Sequence, residues 1–210
     1  MEELNARANI YALISRILLQ ELDSDFVDTL KNDDAILDFL PNVKTWEPLK
    51  TLSNEELLNK HFNVDFTNIS LLHLIPYETF YTRDDQMIET GGANPVTDIY
   101  NEFKFLVDFE VARVVSADHI GVEFEFMYHL IEGEKAAMLG KDMDAVNIFK
   151  KAQHDFLNKH LLTWAPHYLI SAKYESRTPL YHDICEMALE FILSDNESLT
   201  SALGVNEFAQ

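Results

Sequence analysis

Residues 117–130 read ADHIGVEFEFMYHL and carry the strongest helical signal in the chain. The apolar residues of this stretch and its continuation recur every three or four positions, as on one face of an α-helix, at Ile120, Phe124, Met127 and Ile131. Asp118 precedes them and can act as the N-cap, because its carboxylate can accept hydrogen bonds from first-turn amides. The pattern predicts an amphipathic helix that begins at Asp118 and fades near Gly140.

Helical patterns continue on both sides of this stretch, whereas alternating β-branched runs are too short to form a sheet. Ser53 and Glu56 have the spacing of a capping box, which marks a helix start. Asn94-Pro95 and Thr178-Pro179 each place a capping residue before a proline. After Asn94 one stripe, predicted to be core, contains Tyr100, Phe103, Val107, Val111 and Val114. We predict an all-α, single-domain helical bundle over residues 1–210.

Three segments depart from the helical pattern. Residues 67–94 combine aromatic and aliphatic side chains with Pro76 and the Gly91-Gly92 pair, which predicts a long loop and a candidate binding surface. Pro166 predicts a kink or break, since proline removes a backbone donor. The tail over about 196–210 is predicted to be loosely held.

Composition narrows the classes of partner. The sequence contains 16 Lys and Arg residues and 36 Asp and Glu residues. The resulting formal net charge of -20 repels phosphate backbones and anionic lipids. We therefore expect no nucleic-acid partner, although the same surplus of acids is also typical of a surface that only maintains solubility. The sequence has no long uncharged apolar run, so we expect no membrane insertion. Acids precede the apolar part of the N-terminus and Cys185 is the only cysteine, both compatible with a cytoplasmic protein.

Catalytic signatures are missing from the sequence. There is no GxxxxGK[ST], GxGxxG, GxSxG or HExxH motif, and only 6 glycines. Glu125 and His129 stand four residues apart and could share a helix face, so an all-α metal- or nucleotide-dependent enzyme using them with His119 is one alternative. Acidic helices often contain such pairs by chance, and we predict no catalytic residue, no metal and no cofactor.

Two polar and aromatic groups are candidates for binding a peptide. Asp118 and His119 stand at a helix start, where the helix dipole favours a neutral imidazole. On residue chemistry alone, a plain N-cap with a solvated histidine is the simpler explanation. Tyr77 and Tyr81 flank Glu78 in the predicted loop, and an aromatic wall beside a carboxylate suits a peptide with apolar and arginine parts. A loop that packs onto the core is the alternative for this second group.

Five segments together resemble one family. They are PYETFY from Pro76, NPVTDIYNEF from Asn94, ADHIGVEFEFMYHL from Ala117, FLNKHLLTWAPHY from Phe156 and TPLYHDICEMALEF from Thr178. Their order and spacing between about Asp65 and Phe191 resemble the TorD/DmsD/NarJ family of redox-enzyme maturation chaperones. Two positions depart from the family pattern: Ser116-Ala117 replaces a proline near Asp-His, and Thr79 stands where serine is frequent.

The resemblance implies a non-enzymatic cytoplasmic chaperone with a TorD-like helical fold. Its partners would be the catalytic subunit of a molybdopterin oxidoreductase and the twin-arginine leader of that subunit. The chaperone would delay export and assist cofactor insertion, as a monomer or a domain-swapped homodimer. The implied peptide-binding residues are Asp118, His119, Tyr77, Glu78, Tyr81 and Phe66, whereas His160 and Trp164 match the family but are interpreted as structural. A purely structural adaptor that uses its acidic helices remains an alternative.

Overall fold

The structure is a computed structural model and describes residues 1–204. The chain forms two compact units. The first unit contains Met1–Leu19, Tyr77–Ala165 and the segment from Phe191 onward, and the second contains Gln20–Pro76 and Pro166–Glu190. Residues 1–204 form helices and no strands, which confirms the predicted all-α class.

Six whole α-helices, one π-helical segment and part of α14 lie in the described residues of the first unit. They are α1 (Glu2–Leu19), α8 (Glu78–Thr82), α9 (Thr97–Glu102), α10 (Phe109–Ala112), α11 (Ile120–Leu139), α12 (Met143–Phe156), the π-helix Leu157–Leu161, and part of α14 (Pro179–Leu203). The second unit contains α2 (Ser24–Asn32), α3 (Asp34–Asp38), α4 (Pro41–Thr45), α5 (Glu47–Thr51), α6 (Asn54–Leu57), α7 (Asn63–Thr67), and the π-helices Leu58–Phe62 and Asn68–Leu72. Helix α13 (Leu162–Glu175), like α14, has residues in both units.

The core of the first unit is built around α11, which packs between α1 and α12. The predicted inward residues Ile120, Phe124, Met127 and Ile131 are all fully buried, which confirms the stripe. Gly121 allows α1 to approach closely, because a Cβ at this position would lie 2.6 Å from Leu19 Cβ. Ser15 Oγ donates to the Gly121 carbonyl at 2.8 Å in the same contact.

A buried ionic group joins the N-terminal helix to the end of α14 within the first unit. Arg7 donates two hydrogen bonds to Asp195, at 2.6 and 3.0 Å, and a third to Gln153 at 2.8 Å. Tyr11 donates its hydroxyl to the same aspartate at 2.8 Å. Since Asp195 is 4% exposed, these donors are needed to offset the cost of burying its charge.

Two buried aspartates of the second unit also accept several hydrogen bonds each. Asp65 accepts hydrogen bonds from the backbone amides of Arg177 and Thr178, and from the Thr178 hydroxyl at 2.7 Å. Asp183 accepts from the amides of Asn42 and Val43 at 2.8 and 3.1 Å. Each carboxylate therefore satisfies backbone donors that are distant in sequence.

Helix starts were predicted with mixed success. The Ser53–Glu56 capping box is confirmed, since both of its reciprocal hydrogen bonds are present. The N-cap of α11 is His119, whose ring accepts from the Gly121 amide, so the prediction that Asp118 caps this helix is wrong. Asp118 instead binds groups outside its own helix.

The helix predicted from Asn94 through Val114 is also wrong. Only α9 and α10 are helical in this region, and Lys104 and Arg113 adopt positive φ angles of 55° and 56° that end each of them. Val111, predicted to be core, is 67% exposed. A left-handed conformation at a residue other than glycine leaves no clear trace in the sequence pattern.

The three segments that were predicted to depart from the helical pattern also differ from that prediction. The region 67–94 contains the π-helix Asn68–Leu72 and α8, so the irregular stretch is shorter than expected. Helix α13 runs through Pro166 without a break. Residues 196–203 continue α14, and the rest of the predicted tail, residues 205–210, lies outside the described residues. Within residues 1–204, none of the helices has the length and apolar content needed to cross a bilayer.

Candidate functional site

The carboxylate of Asp118 is the centre of a buried network in the first unit. Its Oδ2 accepts from the Thr79 amide at 2.8 Å and from the Thr79 hydroxyl at 2.7 Å. Its Oδ1 accepts from Asn94 Nδ2 at 2.9 Å and from the Ser116 hydroxyl. The backbone carbonyl of Asp118 also accepts from the Glu78 amide at 3.0 Å. Asp118 therefore joins the start of α8 to the two segments that precede α9 and α11.

The donors around Asp118 also hold the irregular segment 83–96. Asn94 Nδ2 lies 2.9 Å from the Glu89 carbonyl oxygen, and Ser116 Oγ lies 2.6 Å from the same oxygen, so the one hydroxyl proton of Ser116 is shared between this carbonyl and Asp118. The Glu89 amide in turn donates to Thr79 Oγ1 at 3.0 Å. These contacts fix the backbone of a segment that has no regular structure, so the predicted loop is tied to the motif beside it.

Tyr77 and His119 face each other at the edge of this network. Their backbones form an isolated antiparallel bridge, and their rings meet edge to face with centroids 5.0 Å apart. The Val115 amide donates to the Tyr77 hydroxyl at 3.2 Å. The aromatic motif and the Asp-His motif, predicted separately, therefore form one structural group.

His119 is neutral in this environment, as the sequence predicted. Burial lowers the pKa of His119 to about 3, against the opposing effect of the Asp118 charge. Nδ1 accepts the Gly121 amide at 3.1 Å, so the imidazole proton resides on Nε2. The ring therefore presents one N–H donor away from the helix that it caps.

A second buried group connects α8 to the end of α12. His160 Nδ1–H donates to the Glu78 carboxylate at 3.0 Å, and Trp164 Nε1–H donates to Glu123 Oε2 at 3.1 Å. Glu78 is 3% exposed and Glu123 is fully buried. His160 and Trp164, interpreted as structural from the sequence, are the hydrogen-bond partners of two buried acids near the candidate site.

Glu123 is a fully buried acid whose Oε1 has no hydrogen-bond partner among the described residues. Burial first, then the charges of Glu78 and Asp118, raise the pKa of Glu123 well above its usual value. The environment of Glu123 in the core of the first unit therefore favours the protonated carboxyl over the ionised one.

Tyr81 is the most accessible of the predicted binding residues. It is half-buried and stacks on Trp164 with ring centroids 5.5 Å apart. Burial raises the pKa of Tyr81 to about 12, so the phenol is protonated and can donate. One aromatic face and one hydroxyl are therefore oriented by the neighbouring core residue.

The structure brings five of the six predicted binding residues together and separates one. Tyr77, Glu78, Tyr81, Asp118 and His119 lie in the first unit, and all except Tyr81 are buried. Phe66 lies in the second unit, where its ring is 6.3 Å from that of Tyr181.

Sequence reasoning missed the partners of Asp118. Thr79 and Ser116, noted only as departures from the family pattern, donate hydrogen bonds to this carboxylate from their hydroxyl groups. Asn94 donates to it from its side-chain amide. The signal was available in part, because small hydroxyl side chains near a buried aspartate are natural donors.

The residues of the alternative enzymatic site are engaged elsewhere. His129 Nε2 lies 2.9 Å from the Phe103 carbonyl, and the pKa of Glu125 is raised by burial. His119 uses Nδ1 for helix capping. In residues 1–204, no cluster of three or more His, Cys, Asp or Glu side chains has the geometry to hold a metal ion.

A groove of about 420 Å³ lies on the first unit, next to the Glu78–His160 pair. One wall comes from Pro95 and α9, and the opposite wall from α12 and the π-helix that follows it. Apolar and charged side chains both line it, namely Pro95, Asp98, Ile99, Glu102, Phe103, Ile148, Lys151, Ala152, Asp155, Lys159 and His160. His160 both lines the groove and forms a hydrogen bond with Glu78.

Comparison with known proteins identifies the family of this architecture. The model of the nitrate reductase delta subunit family matches residues 33–169, which include the Asp118 network. The chain belongs to this family. Members of the TorD/DmsD/NarJ group were the proteins that the five segments resembled, so that prediction is confirmed.

The chain is similar to several curated proteins, and all of those described below are named "Chaperone protein TorD". The relative from Aliivibrio salmonicida is 25% identical over 186 residues, which cover 80% of this chain and 84% of the relative. The relative from Photobacterium profundum is 25% identical, and the match covers 90% of this chain and 95% of the relative. The relative from Vibrio cholerae is 23% identical, and the match covers 92% of this chain and 91% of the relative. No solved structure matches the chain. These similarities support a chaperone of redox-enzyme maturation.

Proposed function

We propose that this protein is a cytoplasmic, non-catalytic chaperone that binds the twin-arginine leader and the apo form of a molybdopterin oxidoreductase. The observation that carries the proposal is the Asp118 network, which lies inside the matched family region and joins the two sequence motifs of the candidate site. The relatives named as TorD chaperones support the same class of function.

Charge complementarity supports a cationic ligand. A formal net charge of -20 attracts a leader with two arginines, and the attraction falls with ionic strength. Guanidinium groups bind carboxylates through paired, charge-assisted hydrogen bonds. We therefore expect leader binding to weaken as salt is added, mainly through slower association.

We propose different roles for the buried and the accessible residues of the site. Asp118, Tyr77 and Glu78 are positioning residues, since they are buried and hold α8 and its neighbours in place. Tyr81 offers the accessible aromatic face, whereas the buried His119 caps α11 and packs against Tyr77, so it is a positioning residue as well. Phe66 lies in the second unit and stays a predicted apolar contact of the leader.

The apolar half of a leader contributes binding free energy through burial. Burial of about 300 Å² at about 25 cal/mol per Å² gives roughly 7 kcal/mol, much of which offsets the ordering of a flexible peptide. A micromolar affinity needs about 8 kcal/mol net, so the charged contacts of the arginines must supply the rest.

The maturation role requires a preference between two states of the client. A chaperone can delay export only by the difference between its affinities for the apo and the cofactor-filled enzyme. We propose that cofactor insertion weakens the complex and releases the leader. No pterin or nucleotide is required on the chaperone itself.

Binding of the apo and the molybdopterin-filled client, measured side by side at equal concentration, tests this function. We expect the apo enzyme to bind at least about tenfold more tightly, which corresponds to about 1.4 kcal/mol. Equal affinities would contradict release by cofactor insertion. A client that carries its leader but binds in neither form would contradict the chaperone function as a whole.

A further inference from the structure

We infer that the groove between α9 and α12 is the subsite for the arginine-containing part of the peptide, with Asp98 and Glu102 as the residues that select the cation. This inference rests on the proposed function, because its ligand is the leader. It assigns the arginines to a surface that none of the six predicted binding residues lines.

The α9 wall of the groove is anionic. Asp98 and Glu102 stand four residues apart on α9, so their side chains lie one helical turn from each other on the groove side. Neither carboxylate has an ion-pair partner among residues 1–204. A guanidinium placed here would meet two acids that have no competing cation.

The opposite wall contains a pair that is already neutralised. Lys159 Nζ lies 3.1 Å from Asp155 Oδ2, so this ammonium and this carboxylate satisfy each other. Lys151 is the remaining cation of the lining and can donate to a peptide carbonyl. A cationic side chain is therefore expected on the α9 side, and the peptide backbone toward α12.

The floor and rim of the groove are apolar enough to hold the residues next to an arginine. Ile99 comes from α9, Phe103 follows this helix directly, Ala152 comes from α12, and Ile148 at the rim is 57% exposed. The aliphatic part of an arginine side chain packs well on such surfaces while its guanidinium remains at the polar edge. A phosphate would be repelled by the two carboxylates of the α9 wall.

His160 links the groove to the rest of the candidate site. Its ring stacks on Phe156 at a centroid distance of 4.8 Å, while its Nδ1–H is held by Glu78. Glu78 begins α8, the helix that carries Tyr81. A peptide in the groove would therefore lie against the same residue that anchors the predicted aromatic surface.

The test is a double-mutant cycle between the groove and the leader. The variant Asp98→Asn/Glu102→Gln removes both charges from the α9 wall with little change in shape. We expect about five- to tenfold weaker binding of a synthetic twin-arginine leader, and no loss for the same leader with both arginines replaced by alanine. The variant Asp25→Asn/Glu55→Gln makes the same charge change on exposed residues of the second unit and controls for long-range attraction.

Each outcome of the cycle decides one question. Wild-type binding with equal losses in the groove variant and the control variant would overturn the subsite and leave the proposed function standing. Failure of the wild-type chain to bind any leader would overturn the proposed function and the subsite together. Unchanged circular dichroism of both variants establishes that folding is not the cause.

A second measurement locates the arginines directly. Cys185 is buried, so a cysteine introduced at Ile148 can carry a single nitroxide label at the groove rim. We expect this label to broaden the arginine resonances of an isotopically labelled leader. The same label in the Asp98→Asn/Glu102→Gln background should broaden them less, because the charges that hold the arginines are absent. Equal broadening in the two backgrounds would overturn the assignment.

Discussion

Thr79 binds Asp118 through two donors at once, its backbone amide at 2.8 Å and its hydroxyl at 2.7 Å. The two residues are 39 positions apart in the chain, and Asp118 is fully buried. This pair fixes the first residues of α8 against the segment that leads into α11. The position of the proposed peptide-binding surface therefore depends on an internal carboxylate.

Replacement of Asp118 should reduce stability as well as binding. Two donors point at each carboxylate oxygen of Asp118. Asp118→Asn replaces one of these oxygens by an NH₂ group, which cannot accept, so at least one buried donor loses its acceptor. We expect a loss of about 2–4 kcal/mol in the free energy of unfolding, measured by urea denaturation. Asp84→Asn, on an exposed residue near α8, should change it by less than about 0.5 kcal/mol. Equal stability of the Asp118 variant and wild type would contradict the network.

Gly121 and Gly92 form a matched pair for testing the contact between α1 and α11. Gly121→Ala would place a Cβ 2.7 Å from the Leu19 Cα, a backbone atom that cannot move without shifting α1. We expect a loss of about 2–4 kcal/mol by thermal or urea unfolding, despite the better helix propensity of alanine. Gly92→Ala meets no atom within 4 Å and should change stability by less than about 1 kcal/mol. Similar effects of the two changes would show that the close approach is absent.

His119 should remain neutral well below the pH at which an ordinary histidine gains a proton. Burial lowers its pKa from 6.5 to about 3, so between these values the unfolded chain binds more protons than the folded one. The contribution of His119 to stability is complete above pH 6.5 and is lost as pH falls toward 3. The ring resonances, assigned with His119→Gln, should not titrate between pH 7 and 5 in NMR spectra. A midpoint near 6.5 would contradict the buried, helix-capping ring.

Glu123 should give stability the opposite dependence on pH. Its folded pKa is raised above the ordinary value of 4.5, so the folded chain binds more protons above that pH and stability falls as pH rises. Glu123→Gln mimics the protonated carboxyl and removes this loss. We expect the stability of the variant relative to wild type to increase by up to about 1.4 kcal/mol per pH unit above pH 4.5 in urea titrations. A constant difference between pH 5 and 8 would show that Glu123 is already ionised.

Local sequence signals predicted the features that depend on near neighbours. The apolar stripe of α11 and the Ser53–Glu56 capping box involve residues three or four positions apart, and both are present. The contacts of the candidate site are not local, since Asn94 and Asp118 are 24 residues apart and Glu78 and His160 are 82 apart. Periodicity carries no information on such pairs. The fold class and the family could thus be predicted, but the buried state of Asp118 could not.

The errors around α9 have a different cause. Tyr100 through Val114 keep the spacing of a helix, yet the chain turns at Lys104 and Arg113, both in the left-handed region. Tertiary contacts support these turns, as in the ring contact between Tyr100 and Phe105 at 4.9 Å. Packing of the aromatic cluster overrides the helical pattern there.

Calorimetric titration of the purified protein with twin-arginine leaders from the molybdoenzymes of its own genome tests the central claim most directly. Each leader is paired with a version in which both arginines are alanine, at low and at moderate salt. We predict saturable binding of at least one leader, with affinity that falls when the arginines are replaced and when salt is raised. Absence of binding to every leader, or equal affinity for both versions of a leader, would contradict the account.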